Sequence, residues 1–249
     1  MKALAVIGYH HTGKTSVVTA LVEALTARGL RVATIKDIHS EKFRADTEGK
    51  NSALHIAAGS VQTFARGLFD SAMIYPKPLS LEEILPKMDA DFLIVEGMKD
   101  SALPKIVCAA QTAELDELVD DSTIACAGVI SDTISSYHSL RVYSARRDIG
   151  ELASLVSDKV FEVLPMADPE CCSRCGSTCK QLAMDIVQGR RRRDECVMDS
   201  EHTITLEVGG RQIAIVPFVQ DILKDTILAV LKNLKDTDIS KDIHIHIRP

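Results

Sequence analysis

At 249 residues, with 46% hydrophobic and 26% charged side chains, the chain has an ordinary globular composition and enough material for one large α/β domain with an appendage. A net charge of −6 and a single short basic run at 190–193 argue against nucleic-acid or anionic-membrane partners, both of which need broad positive fields. Neither a leader-type segment nor an apolar stretch of about eighteen residues is present, so the expectation is a cytoplasmic protein.

The opening apolar run 2–7 reads as a buried strand, and the helical spacing of Val17, Leu21 and Leu25 predicts a helix over 16–28, ended by Gly29. Between them stands Gly8-Tyr9-His10-His11-Thr12-Gly13-Lys14-Thr15-Ser16. Two such glycines let the backbone curl until several N–H groups converge on one anion, and the following helix aims its positive end at the same point. Residues 8–16 therefore form a candidate phosphate cradle. Lys14 would reach the outer phosphates, and the Thr15 hydroxyl would ligate the magnesium of a nucleoside triphosphate. His10 and His11 read as tolerated fillers of that loop.

Further along, strands are expected at 31–36, 62–65, 72–75, 91–96, 105–108 and 124–130, with helices near 52–58, at 81–88 after Pro78 and Ser80, and at 149–163 up to Pro165. Strand and helix alternate as in a parallel sheet, so the fold class is α/β, a P-loop NTPase with a mostly parallel sheet flanked by helices. Past it the composition shifts. Residues 167–199 are rich in Cys and Arg, and 200–249 carry a small α+β segment. That segment has a hairpin signal at 204–208 and 212–216 around Gly209-Gly210, and an amphipathic helix through Phe218, Ile222, Thr226, Leu228, Leu231 and Leu234. Its closing strand alternates Ile243, Ile245 and Ile247 with His244 and His246. The expected division is 1–166, 167–199 and 200–249.

A triphosphate site needs an acid at the end of a neighbouring strand to hold magnesium or its water shell. Glu96 closes the apolar run Phe92-Leu93-Ile94-Val95 and is the candidate, against the alternative of a surface or capping Glu. Asp37, just past 31–36, can contact magnesium or position water, and Lys50 can neutralise phosphate, though a solvated loop explains both equally well. Asp132 follows 124–130 where a carboxylate can accept from guanine's ring N–H and amino group; a plain turn Asp is the alternative. Cys108 and Cys126, inside apolar strands, read as core thiols. With no arginine finger evident, any hydrolysis is expected to be slow.

Taken together, Gly8-x4-Gly13-Lys14-Thr15, Ile35-Lys36-x2-His39, Asp46-x2-Gly49-Lys50-x-Ser52 with Ala58-Gly59, and Val95-Glu96-Gly97-x-Lys99 ending in Pro104-Lys105-Ile106 resemble molybdopterin-guanine dinucleotide biosynthesis protein B over residues 1–165. The resemblance implies a GTP-binding protein, at most a weak GTPase, that assists attachment of a guanine nucleotide to molybdopterin. It also implies a guanylyltransferase partner, molybdenum or tungsten cofactor maturation as the setting, and a homodimer. Two positions depart from the family pattern: Asp37 stands where a second His is usual, and Asn51 replaces the more usual Asp.

The second constellation is Cys172-x2-Cys175-Gly176-x2-Cys179-x16-Cys196, which holds four of the seven cysteines. In a cytosolic chain such spacing points to a metal rather than to disulfides, and one compact turn plus a distant fourth thiol favours a 4Fe-4S cluster over zinc, with no metal as the third possibility. The stretch looks like the 4Fe-4S module of corrinoid iron–sulfur proteins and of some archaeal relatives of the B protein, which usually have four residues rather than three between the second and third cysteines. Cys171 offers a substitute ligand for the shifted register. Arg190 to Arg193 read as a solvated face or as partners of an anionic cluster or pterin phosphate. A nucleotide-dependent metallochaperone is the alternative function.

Overall fold

The computed structural model describes residues 1–47, 49–165, 172, 175–196, 204, 206–208, 211–213, 217–234, 243 and 245. The chain divides into two compact units, Met1–Val163 and Leu164–Pro249. Among the described residues no helix is long and apolar enough to cross a membrane.

In the first unit, β1 (Lys2–Ile7), α1 (Lys14–Thr26), β2 (Val32–Lys36), α2 (Asn51–Ala57), β3 (Thr63–Arg66), β4 (Ser71–Ile74), α3 (Leu81–Ile84), β5 (Phe92–Glu96), β6 (Lys105–Cys108), α4 (Thr112–Leu118), β7 (Thr123–Ala127), β8 (Ser136–Tyr137), β9 (Leu140–Tyr143) and α5 (Ile149–Lys159) follow one another. One sheet has the order β2-β5-β1-β6-β7-β9-β8, in which all neighbours are parallel except the antiparallel edge pair β8/β9. Strands covered on both faces are predominantly apolar, and β5, β6 and β7 are buried at every position. Helix α1 lies on β1, β2 and β5 and packs against α5, burying Val17, Val18, Leu21 and Leu25. This topology puts the ends of β1, β2 and β5 side by side, with the loop from β1 to α1 above them.

Several sequence expectations shift. The helix expected to run to 163 ends at Lys159, because Val160 is extended and the chain turns to pair with the start of β1: Phe161 accepts from the Ala3 N–H, and the Val163 N–H donates to Met1. The strand expected over 124–130 stops at Ala127, where Gly128 turns the chain into a short 3-10 turn, Val129–Asp132. Pro86 reduces the expected helix 81–88 to α3, capped by the reciprocal Ser80–Glu83 pair, and a 3-10 turn. The β8/β9 hairpin and α4 lacked a readable signal; the hairpin turn places His138, not a glycine, at φ 48°. Strands β3 and β4 pair with each other rather than joining the parallel sheet. Their ribbon leaves Leu68 and Phe69 97% and 100% exposed, with Phe64 and Met73 also out in solvent.

Lys105 is a charged side chain inside this core: 2% exposed, it donates from Nζ to Asp120 Oδ2 at 2.9 Å. Burial pushes the Asp120 carboxyl up, but hydrogen bonds from Ser122 and Lys105 outweigh it and hold the group below the usual carboxylate range. A depressed folded-state pKa stabilises above the unfolded value of about 4 and is lost as pH falls through the folded one. Asp120→Ala strands a buried ammonium and is expected to cost about 3 kcal/mol near neutral pH, the low end for a broken buried pair because the carboxylate is 34% exposed. Urea midpoints of wild type and variant should begin to converge below about pH 4 and meet once the pH lies below the depressed folded-state pKa of Asp120; a gap that persists there would exclude the ion pair as its cause.

In the second unit, α6 (Cys179–Val187) is capped by Thr178, whose hydroxyl accepts from the Gln181 N–H at 3.1 Å. The hairpin forms as β10 (Leu206–Val208) against β11 (Arg211–Ile213), shorter than expected, and α7 spans Pro217–Leu231. Its covered stripe runs through Gln220, Leu223, Ile227, Leu228 and Leu231, so Ile222 and Leu234, expected on the apolar face, are exposed. Ile243 and Ile245 are not in a strand. Gly209, Gly210, His244, His246 and Ile247 lie outside the described residues.

Candidate nucleotide site

The turn from β1 into α1 has the geometry that the glycine spacing predicts. Gly8 and Gly13 take φ of 151° and 90°, and His11 sits at φ 62°, so the chain coils through left-handed backbone before Lys14 opens the helix. A Cβ on Gly8 would stand 2.2 Å from the Cys108 carbonyl oxygen, which requires glycine there. Thr12 is fully buried and its hydroxyl donates to the Tyr9 carbonyl at 2.9 Å, tying the loop to itself. From the far side, Val129 donates its N–H to the Thr12 carbonyl at 3.1 Å, and Gly128 packs so close that a Cβ there would meet that oxygen at 2.2 Å. Gly128 is a site-building residue that the sequence reading missed; a glycine after a core strand was the available signal.

A cavity of about 370 Å³ opens over this loop, lined by His10, His11, Gly13, Lys14, Thr15, Ser16, Lys36 and Glu96. Lys14 Nζ donates to the Tyr9 carbonyl at 2.5 Å, curled over the cradle. Thr15 Oγ1 donates to Glu96 Oε1 at 2.9 Å, and Lys36 Nζ donates to the same oxygen at 2.6 Å. Strand order explains the meeting: β5 lies beside β1, so the carboxylate ending β5 stands next to the first turn of α1. Of the other expected residues, Tyr9 is half exposed and its hydroxyl donates to Glu117, which holds its proton above the usual range. Asp37 is beside the cavity rather than in its lining: Oδ2 accepts from the Met98 N–H at 3.3 Å and meets His39 Nε2 at 2.8 Å. Asp132 ends the 3-10 turn, is exposed, and pairs with Arg147 at 3.4 Å. Lys50 is the residue before α2, outside the lining.

Cys108 and Cys126 are fully buried, and burial pushes their thiols up to about 12 and about 11, as inert core residues. In the second unit Cys172 and Cys196 are buried, while Cys175 and Cys179 are partly so. Among the described residues no group of three or more His, Cys, Asp or Glu is placed to hold a metal, so these four thiols do not converge on a cluster there; Cys171 lies outside the described residues. Arg190, Arg191 and Arg192 pair with Asp185, Glu195 and Asp194, so this part of the basic run is neutralised by carboxylates.

A parallel sheet, a glycine-coiled turn into a helix, a lysine over that turn and a hydroxyl on a strand-end carboxylate define an α/β protein of the P-loop nucleotide-binding class. The model of the family described as molybdopterin guanine dinucleotide synthesis protein B matches residues 3–132, and the chain belongs to that family. A Methanocaldococcus jannaschii protein named as a candidate molybdopterin-guanine dinucleotide biosynthesis adapter protein is 29% identical over 99% of this chain and 97% of its own length, so the likeness runs through both units. The Haemophilus influenzae molybdopterin-guanine dinucleotide biosynthesis adapter protein is 35% identical over 47% of this chain and 70% of its own length. Among solved structures, Bacillus subtilis MobB superposes with a TM-score of 0.54 at 23% identity, over 66% of this chain and all of its own, which establishes a common fold.

Proposed function

We propose that the protein is a GTP-binding adapter for molybdopterin guanine dinucleotide synthesis, working beside a guanylyltransferase that handles molybdopterin. The observation that carries this reading is the contact of Thr15 Oγ1 with Glu96 above a glycine-coiled cradle, the donor set a magnesium–triphosphate requires. The residues fit the group: Gly8 to Lys14 supply backbone N–H donors, Thr15 and Glu96 supply hard oxygens for Mg2+, and Lys14 supplies a cation. Bound magnesium would draw charge from the outer phosphates. The chain's own part is to hold the phosphates on the loop amides, to neutralise them with Lys14, and to orient water or metal through Glu96 and Asp37. Asp132 is assigned to the guanine edge. The loop residues 8–16 hold nucleotide, and slow hydrolysis makes the protein a binder more than a catalyst.

Residues 1–166 form the nucleotide part of this proposal, 167–199 the cysteine segment and 200–249 a small appendage. The exposed apolar ribbon of β3 and β4 is consistent with assembly, a homodimer in this reading. For the cysteine segment the donor chemistry suits a 4Fe-4S cluster or zinc, but the described placement does not gather the ligands, and no step is routed through a cluster. A metallochaperone role rests on the cysteine spacing alone.

The deciding experiment is calorimetric titration of GTP, GDP and ATP, with and without magnesium, on anaerobically purified protein whose metal content is measured in the same sample. GTP should bind more tightly than ATP and only weakly without magnesium, and adding the protein should accelerate guanylyl transfer to molybdopterin. Failure to bind any nucleotide overturns the reading. Four irons per chain would add the cluster to it, whereas a metal-free sample would reduce 167–199 to a structural segment.

A further inference from the structure

Lys36 closes β2 opposite Glu96 in the parallel β2/β5 register. Its ammonium and the Thr15 hydroxyl share one oxygen of that carboxylate, at 2.6 and 2.9 Å. The two partners are unlike in mobility: the Lys36 side chain is 58% exposed, the Glu96 side chain 11%. Lys36 also lines the same cavity as Lys14, which reaches it from the first residue of α1. Two ammonium groups on separate elements therefore face one hollow, and one of them stands on the oxygen that Thr15 marks as a metal position.

A divalent cation and an ammonium cannot share that oxygen at hydrogen-bond distance without strong like-charge repulsion. Glu96 is buried and fixed by its strand, so the lysine on its flexible four-carbon stem is the partner that gives way. The hollow over the loop is where the displaced charge finds its next anion. We propose that Lys36 and magnesium exchange on Glu96, and that the displaced Lys36 neutralises the outermost phosphate of a bound nucleoside triphosphate. Lys36 thereby ties metal binding to the presence of a third phosphate. The inference rests on the nucleotide-binding reading above.

The test is titration of GTP and of GDP into wild type, Lys36→Met and Lys36→Arg, each at a series of magnesium concentrations, with circular dichroism to verify folding. Lys36→Met keeps the stem but not the charge; it should weaken GTP about tenfold, the size of one charge-assisted contact, and leave GDP within about twofold. The magnesium concentration at half-maximal GTP binding should fall several-fold in Lys36→Met, since the competitor for Glu96 is gone, and Lys36→Arg should keep the GTP preference. Equal weakening of GTP and GDP, or an unmoved magnesium midpoint, overturns the exchange while leaving nucleotide binding intact. A wild-type protein that binds neither nucleotide overturns the site reading, and this inference with it.

Discussion

Lys14→Ala is expected to weaken GTP binding by at least about thirtyfold, the lower bound for truncating one partner of a largely desolvated, hydrogen-bonded charge pair. The ammonium hangs over the cradle on the Tyr9 carbonyl, lining the cavity with Thr15 and Glu96. Its removal leaves the loop amides as donors but takes away the unit charge against which the outer phosphates are held. Loop geometry should survive, because Thr12, Gly8 and Gly128 set it without Lys14. Calorimetry on the folded variant decides the matter: an affinity equal to wild type would remove Lys14 from the site and sink the phosphate-cradle reading.

Gly128→Ala should be more damaging still, because it attacks the cradle from behind. Gly128 combines φ 93° with ψ −158°, a region of backbone space that side chains essentially never enter, at a cost of about 1–3 kcal/mol by itself. The added methyl would lie 2.2 Å from the Thr12 carbonyl oxygen and 3.2 Å from the Ala109 N and O, all backbone atoms with no rotamer to escape through. Together the two effects should cost at least about 3 kcal/mol and lower the melting midpoint by roughly 6–12 °C for a chain of this size. GTP affinity should fall along with stability, since the oxygen pushed aside belongs to the loop itself. A variant that melts and binds like wild type would show that the loop does not depend on this clamp.

How much of this was readable in advance follows from where each signal resides. The cradle was legible because its parts are contiguous: eight residues, two of them glycines, encode a turn whose purpose is visible in its own backbone requirements. Glu96 was legible for a related reason, as a carboxylate ending a strand too apolar to be anything but buried. Lys36 stood in the sequence only as part of the motif Ile35-Lys36-x2-His39, because its contact with Glu96 depends on β2 and β5 being neighbours, which no local pattern states. Gly128 lies 115 residues from Gly13 along the chain, and their contact is a product of strand order. The short β8/β9 hairpin escaped because its turn uses a histidine in left-handed backbone. The overlong helix at 149–163 escaped because apolar residues that pair with the start of β1 mimic helical spacing.

By itself, then, the sequence determined the class of fold, the position of the glycine-coiled turn and the acid that faces it, since periodicity, glycine placement and chain-local charge are properties of short segments. Only the tertiary structure decided which lysine shares Glu96, what buttresses Thr12, and that the expected base-reading Asp132 pairs with Arg147. It also decided that the described cysteines are not gathered into a metal group. These are contacts between residues distant along the chain, and their energies exist only once strand order has brought the partners within a few ångströms of one another.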